Sequence, residues 1–280
     1  MRLRSLLFVP GDRPDRMEKA LRYGADALIL DLEDSVTPDA KPAARLAAAN
    51  FLRQAKGRIP LLVRVNPLDS GLLDDDLAAI LQVPPDGLVL PKAEGAPSVQ
   101  ALSAKAPGIP ILPIATETPA AIFQLGSYES VRHHLLGLTW GAEDLPAAIG
   151  ALGARDGTGR YTAPYELARS LTLFGAHAAS VAAIETVYPA LADPDGLAAY
   201  ARRARFDGFN GIMAIHPAQV PVINQAFTPT PEELTEAQAI VDAFAASPGM
   251  GALSYRGRMI DAPHLKQARR VLELAADVAG

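Results

Sequence analysis

Residues 111–123, ILPIATETPAAIF, change character twice within thirteen positions. The run 111–115 is short, apolar and bounded by turn-forming residues, as expected of a buried strand. Thr116, Glu117 and Thr118 follow, and Pro119 opens an Ala-containing segment at a position proline favours in the first helical turn. Strand, polar turn and helix together make one βα unit. It leaves the Glu117 carboxylate where a buried run stops.

The same alternation extends in both directions. Strands are expected at SLLFV (5–9), DALILD (26–31), LLVRV (61–65), GLVLP (87–91), ILPIA (111–115), LLGLTW (135–140), ASVAAI (179–184) and GIMAI (211–215). Helices are expected between them, for example at 14–24, 40–55, 71–82 and 165–177. The strands lack clean apolar/polar alternation, which fits burial on both faces as in parallel sheets. Eight such units predict an α/β fold of the (β/α)8 TIM-barrel type over residues 1–226. From about Phe227 the pattern changes to a capped helix, a Gly-rich extended stretch and a final helix. Residues 227–280 are therefore expected to form a C-terminal helical extension, a lid.

Composition narrows the function. The chain has 280 residues, 49% hydrophobic and 20% charged, with a formal net charge of -5. Its Lys and Arg residues are dispersed, so no nucleic-acid partner is expected. It contains no cysteine, which excludes disulfides, zinc-thiolate sites and a Cys nucleophile. The basic start MRLRSLLFVPGD has too short an apolar core for a signal peptide, and no run approaches the roughly 20 apolar residues of a membrane span. A soluble, cytoplasmic protein with no membrane partner is expected.

In a barrel, chemistry belongs at the C-terminal ends of the strands. Five successive runs here end in polar groups: Asp31, Glu33 and Asp34; Arg64 and Asn66; Lys92 and Glu94; Glu117; Glu143 and Asp144. Any one acid there has a structural alternative, and Asp34 or Asp144 could cap the next helix. Acids clustered at one rim repel each other unless cations compensate. Arg64 and Lys92 supply part of the compensation, and a metal ion would supply the rest. Glu117 and Asp144, on neighbouring strands with no His or Cys nearby, form an all-oxygen pair suited to Mg²⁺.

Other candidates compete less well. His133, His134, His177 and His264 fall on helical or helix-end segments, and His216 could either line the rim or cap the following helix. There is no G-x-S-x-G or G-x-x-x-x-G-K-[ST] motif. The stretch GALGARDGTGRYT reads as a rim loop with Arg155 and Arg160 as possible anion contacts, or as a plain linker. In VPGDRPDRMEKA, Asp12 is an N-cap candidate. Arg13, Arg16 and Lys19 gather positive charge at a strand-to-helix junction, favourable for phosphate, with a solvated helix face as the alternative.

The ordered motifs LLFVPGDRPDRMEKA, ALILDLEDSV, LLVRVNPLDSG, LVLPKAE, IATETPAA, GLTWGAEDLPAAIG, GIMAIHPAQV and GRMIDAPHLKQA resemble the citrate lyase β-subunit-like proteins. These stand among the HpcH/HpaI aldolases, malyl-CoA lyases and citramalyl-CoA lyases. The resemblance implies a (β/α)8 barrel holding Mg²⁺ through Glu117 and Asp144. It also implies cleavage or formation of a carbon-carbon bond between an acyl-CoA thioester and an oxo acid. By the same resemblance Arg64 contacts substrate and donates to the developing enolate, Glu33 lies beside the site, and Asp261 is the acid/base on a lid from a neighbouring subunit. Lys92 and the backbone at Gly141 and Ala142 are expected at the substrate, and Arg13, Arg16 and Lys19 at the phosphates of coenzyme A. A homotrimer or hexamer is implied, with an acyl carrier protein and the α subunit of a citrate lyase complex as further possible partners. Two alternatives remain: a class II pyruvate-type aldolase without CoA, although DLEDSV offers no His base, and a non-catalytic acyl-CoA- or carrier-binding subunit.

Overall fold

The computed structural model describes residues 1–279. Its contacts divide the chain into two compact units, Leu3–Asn224 and a second beginning at Gln225.

The first unit carries eight parallel strands: β1 (Ser5–Pro10), β2 (Ala27–Asp31), β3 (Leu61–Arg64), β4 (Gly87–Leu90), β5 (Ile111–Pro113), β6 (Gly137–Thr139), β7 (Ala182–Glu185) and β8 (Gly211–Ala214). The helices between and after them are α1 (Pro14–Ala20), α2 (Lys41–Ala55), α3 (Leu73–Ile80), α4 (Ala96–Lys105), α5 (Pro119–Ile122), α6 (Asp144–Ile149), α7 (Ala163–Ala178), α8 (Pro194–Asp207) and α9 (Gln219–Ala226). The strand order is β5-β4-β3-β2-β1-β8-β7-β6. Parallel bridges Ile111↔Leu135 and Ile114↔Thr139 then join the two outer strands and close the barrel. At this seam the Leu136 N–H donates to Ile111 at 2.8 Å and the Ala115 N–H to Thr139 at 2.9 Å. Inward side chains Leu6, Ala27, Ile29, Leu62, Val89, Leu112, Ile184 and Met213 fill the interior, so the barrel is a packed core whose rim alone is open to chemistry.

The expected strands are all present, with one revealing shift of register along the chain. Residues 179–181 are not strand: Ala179 caps α7 and Ser180 adopts φ 58. The seventh strand runs instead to Glu185, a fully buried carboxylate. Arg169 donates to it at 2.6 Å, the Trp140 indole at 2.5 Å and the Thr186 N–H at 2.9 Å. An acid inside a strand reads as a terminus only while its partners, distant in sequence, are unknown.

The second unit contains α10 (Pro231–Ala245), an antiparallel hairpin of β9 (Ala252–Tyr255) and β10 (Arg258–Asp261), and α11 (Ala262–Ala279). Thr230 and Glu233 form a reciprocal capping box at the start of α10. Among the described residues, no helix is long and apolar enough to cross a membrane.

Candidate active site at the barrel rim

One cavity of about 870 Å³ is lined by Glu117, Gly141, Ala142, Glu143 and Asp144 and also by Arg13, Arg16, Lys19 and Tyr23, whereas Glu33, Asn66, Lys92 and Glu94 are not among its lining residues. Phe8, Asp31, Arg64 and Met213 lie along its wall.

Glu117 follows β5 and Asp144 opens α6 after β6, so the closing seam brings both residues to the same rim, where both line the cavity. Glu117 is 7% exposed. Its Oε2 accepts the Lys92 N–H at 2.6 Å. Lys92 has φ 51, a left-handed conformation uncommon for a residue with a side chain. Its backbone amide is thereby committed to Glu117, while its ammonium reaches Glu33 at 3.0 Å and Asp144 at 3.1 Å. Gly141 makes the close approach possible: a Cβ there would stand 2.6 Å from Glu117 Cγ. Thr116 ties the same loop, accepting the Gly141 N–H and donating to the Gly141 carbonyl, both at 3.1 Å.

Arg64 grips Asp31 through two parallel bonds of 2.6 and 2.7 Å and stacks over Phe8 at 4.9 Å. Its Nη1 lies 2.8 Å from Glu33. Two of its five N–H groups go to Asp31, which leaves donors for a ligand. Asp31 in turn accepts the Glu33 and Ser35 amides at 3.0 and 3.1 Å.

The electrostatics follow from burial. Desolvation pushes the Glu117 carboxyl up to about 7, and the charges of Glu33 and Asp144 push the same way against the Lys92 N–H and ammonium. Glu33 is also raised by burial, against the opposing pull of Arg64 and Lys92. For Asp31 burial acts upward too, but the Arg64 hydrogen bonds and charge outweigh it and hold the carboxyl below its usual value. Lys92 and Arg64 remain firmly cationic, since their acid partners overcome burial. Negative charge thus exceeds positive charge around Glu117, the environment in which an added cation is most favourable.

Among the described residues, no group of three or more His, Cys, Asp or Glu side chains forms a metal cage. The donor set is two carboxylates on adjacent strand ends. It fits a hard ion such as Mg²⁺, which keeps waters and substrate oxygens in its remaining positions.

Several expectations change here. Asn66 is not at the rim: it donates to Leu32 at 3.0 Å and to Asp76 at 2.7 Å, bracing β3 against α3. Glu94 accepts from Thr118 at 2.7 Å instead of joining the acids. Asp12 does not cap α1; Arg13 occupies the cap position without a side-chain bond, and Asp12 Oδ1 is buried without a hydrogen-bond partner. The Gly141 N–H, expected at a substrate carboxylate, is taken by Thr116. The Ala142 N–H has no partner among the described residues. Asp34 and Asp144 pair with Arg64 at 3.7 Å and Lys92 at 3.1 Å and cap nothing.

Arg155 bonds Glu143 at 3.1 Å and stacks on Tyr161 at 4.3 Å, folding the 150–162 loop onto the β6 end. His216 lines the cavity with Nδ1 accepting the Ala218 N–H at 3.2 Å. His134 meets Ser103 at 2.9 Å and His177 the Gly208 carbonyl at 3.1 Å, both away from the cavity. Phe8, Tyr23, Thr186, Val187 and Met213 line the cavity without having been singled out, because an apolar strand residue carries no sign of which layer it caps. Asp261 lies in the second unit, at the end of β10, where it bonds His264 at 2.6 Å.

The HpcH/HpaI aldolase/citrate lyase family matches residues 4–217. A citrate lyase subunit beta-like protein of Deinococcus radiodurans is 37% identical over 96% of both chains. The mitochondrial citramalyl-CoA lyase of Rattus norvegicus is 33% identical over 98% of this chain and 86% of its own. Among solved structures, CitE of Mycobacterium tuberculosis in complex with magnesium, acetoacetate and coenzyme A superimposes with a TM-score of 0.86 at 33% identity, covering 98% of each chain.

Proposed function

Because the chain belongs to the HpcH/HpaI aldolase/citrate lyase family, we propose that it is a Mg²⁺-dependent carbon-carbon lyase. Its substrate is a 3-hydroxy-3-carboxyacyl thioester of the citryl-, malyl- or citramalyl-CoA type, split to an oxo acid and an acetyl thioester. The observation that carries this reading is one cavity whose lining includes both the Glu117/Asp144 pair and Arg13, Arg16 and Lys19. A substrate that meets both sets of groups has a small oxygen-rich reacting group and a phosphorylated handle. The magnesium, acetoacetate and coenzyme A bound to CitE of M. tuberculosis are of the same three kinds.

Glu117 and Asp144 hold the metal. When bound, Mg²⁺ polarises the hydroxyl and carboxylate oxygens of the substrate. Lys92 keeps Asp144 and Glu33 in place and faces the substrate carboxylate together with the Ala142 N–H. Arg64, immobilised by Asp31, directs its remaining donors at the thioester oxygen, where enolate charge accumulates as the bond breaks. Its preorganisation means that no reorientation is needed at that moment. Glu33, adjoining both cations, holds them in place. Asp261, contributed by a second copy of the chain in a homotrimer or hexamer, delivers a proton to the enolate carbon or removes it in the condensing direction. Its closure over the rim would also exclude water.

The test is purified protein with Mg²⁺ and a panel of citryl-CoA, (S)-malyl-CoA and citramalyl-CoA, with oxaloacetate, glyoxylate, pyruvate and free CoA measured separately. Release of an oxo acid together with acetyl-CoA is expected. Free CoA without oxo acid would replace the lyase reading by thioester hydrolysis. Inactivity on the whole panel, with activity on a carrier-bound thioester, would make this chain the β subunit of a lyase complex.

A further inference from the structure

The junction between β10 and α11 holds a carboxylate and an imidazole in an arrangement that admits two proton positions. Asp261 ends β10 and Ala262 begins α11, so His264 stands in the first turn of the helix. The ring Nδ1 lies 2.6 Å from Asp261 Oδ1 and also 3.2 Å from the Asp261 backbone N. One nitrogen therefore faces an acceptor and a donor at once. If Nδ1 carries a hydrogen, it donates to the carboxylate. If it does not, it accepts from the backbone N–H and from a protonated carboxyl. The heavy atoms are the same in both cases, and only the proton moves.

The junction is well anchored. Arg256 and Gly257, with φ 47 and 75, make a turn of the I′ kind that sets the hairpin register and pairs Asp261 with Ala252. The packed elements carry other charged groups: Arg256 and Arg258 on the hairpin, Glu232, Glu233, Glu236 and Asp242 on α10, and Lys266, Arg269, Arg270 and Glu273 on α11. Arg256 is paired with Glu236 at 2.6 Å and Arg270 with Glu273 at 3.6 Å. His264 is the ionic partner of Asp261 among the described residues. Both side chains keep access to water, at 38% for Asp261 and 48% for His264.

We propose that His264 is a positioning and proton-sharing residue for the acid/base Asp261, so that the two work as one dyad. This rests on the lyase reading above. In the cleaving direction the dyad starts with one proton on the carboxyl, shared toward a bare Nδ1: the Asp261 O–H bond breaks, the enolate electron pair forms a C–H bond, and Asp261 is left as a carboxylate beside a neutral imidazole whose Nδ1 still carries no hydrogen. A proton from water reloads the exposed imidazole. In the condensing direction the carboxylate takes a proton from the acetyl methyl group, and the dyad returns it to water through the ring. The ring gives the pair a second site for the proton that cleavage requires.

The test follows exchange of the acetyl-CoA methyl protons in deuterium oxide, with Mg²⁺ and pyruvate present, by proton NMR. This isolates Asp261 chemistry from the choice of thioester. Asp261→Asn is expected to abolish exchange. His264→Asn keeps a donor toward Asp261 but cannot titrate. It is expected to slow oxo-acid release at pH 7 by roughly tenfold, with Mg²⁺ affinity and KM for the thioester unchanged. The acid limb of the exchange profile should move to lower pH once the titratable ring is gone. His264→Ala should be partly restored by added imidazole. A His264→Asn protein with wild-type turnover and an unmoved acid limb would overturn the dyad, as would His264→Ala unaffected by imidazole. Exchange persisting in Asp261→Asn would instead sink the assignment of Asp261 on which the dyad rests. Far-UV circular dichroism of both His264 variants separates these outcomes from loss of α11.

Discussion

Glu117 is placed by Gly141, Thr116 and Lys92 more than by its own strand. Replacing Gly141 with Ala puts a methyl group 2.6 Å from Glu117 Cγ, so the carboxylate must turn away. Titration calorimetry of Gly141→Ala is expected to show Mg²⁺ affinity reduced by roughly tenfold or more, with the circular dichroism of a folded barrel. Glu117→Gln removes the charge of the proposed ligand and should weaken binding by roughly a hundredfold or more, beyond the effect typical of outer-shell partners. The pH dependence follows from burial. With the Glu117 carboxyl raised to about 7 in the metal-free protein, Mg²⁺ and a proton compete for the same oxygens. Apparent Mg²⁺ affinity should fall as pH drops below about 7. A raised carboxyl favours the metal-free fold at low pH, and that contribution is lost as pH rises from its ordinary range toward 7. The increase in Tm on adding Mg²⁺ is therefore expected to be larger at pH 8 than at pH 5.5, and a pH-independent increase would contradict the assignment.

At the scale of elements, the seam between β5 and β6 closes the barrel and sets the spacing of the metal pair. Behind it, Glu185 at the end of β7 binds Trp140, the residue following β6, and Arg169 on α7. Glu185 and Arg169 are both essentially inaccessible. Arg169 also holds Asp207 at 2.7 Å, so loss of Glu185 leaves it one acid partner and should cost less than the about 3–5 kcal/mol of a fully unpaired buried charge. Glu185→Gln should lower the urea midpoint accordingly, while retaining the Asp144 chemistry in whatever fraction stays folded. Strand existence was legible from short apolar runs, because a parallel strand buried on both faces needs nothing but apolar side chains. The β7 boundary was not, since whether a Glu ends a strand or sits inside it depends on an Arg sixteen residues earlier in the chain. Asn66 misled for the same reason: a polar residue at a strand end looks identical whether it faces the rim or, as here, an Asp on the neighbouring helix.

For the whole molecule, the proposed division of labour between the Glu117/Asp144 pair and Asp261 has a direct consequence. If Asp261 serves a neighbouring copy, Glu117→Ala and Asp261→Asn are each inactive alone, yet mixing them under conditions of subunit exchange restores lyase activity in part. Restoration to at most about one quarter of wild type is expected where exchange is random in pairs, because only intact combinations of rim and acid count. No recovery after demonstrated exchange would place Asp261 at its own rim or outside the reaction.

The sequence by itself determined the alternation of strands and helices, the location of the polar groups at strand ends and the likeness to a family of known architecture. These are local properties, written in apolar periodicity, turn residues and ordered motifs. The tertiary structure alone decided which polar groups meet: Arg64 with Asp31, Lys92 with both Glu33 and Asp144, Thr116 with Gly141, and His264 with Asp261. Such pairings come from barrel closure and from the path of individual backbone turns, and a charge on the sequence carries no record of the partner that will neutralise it.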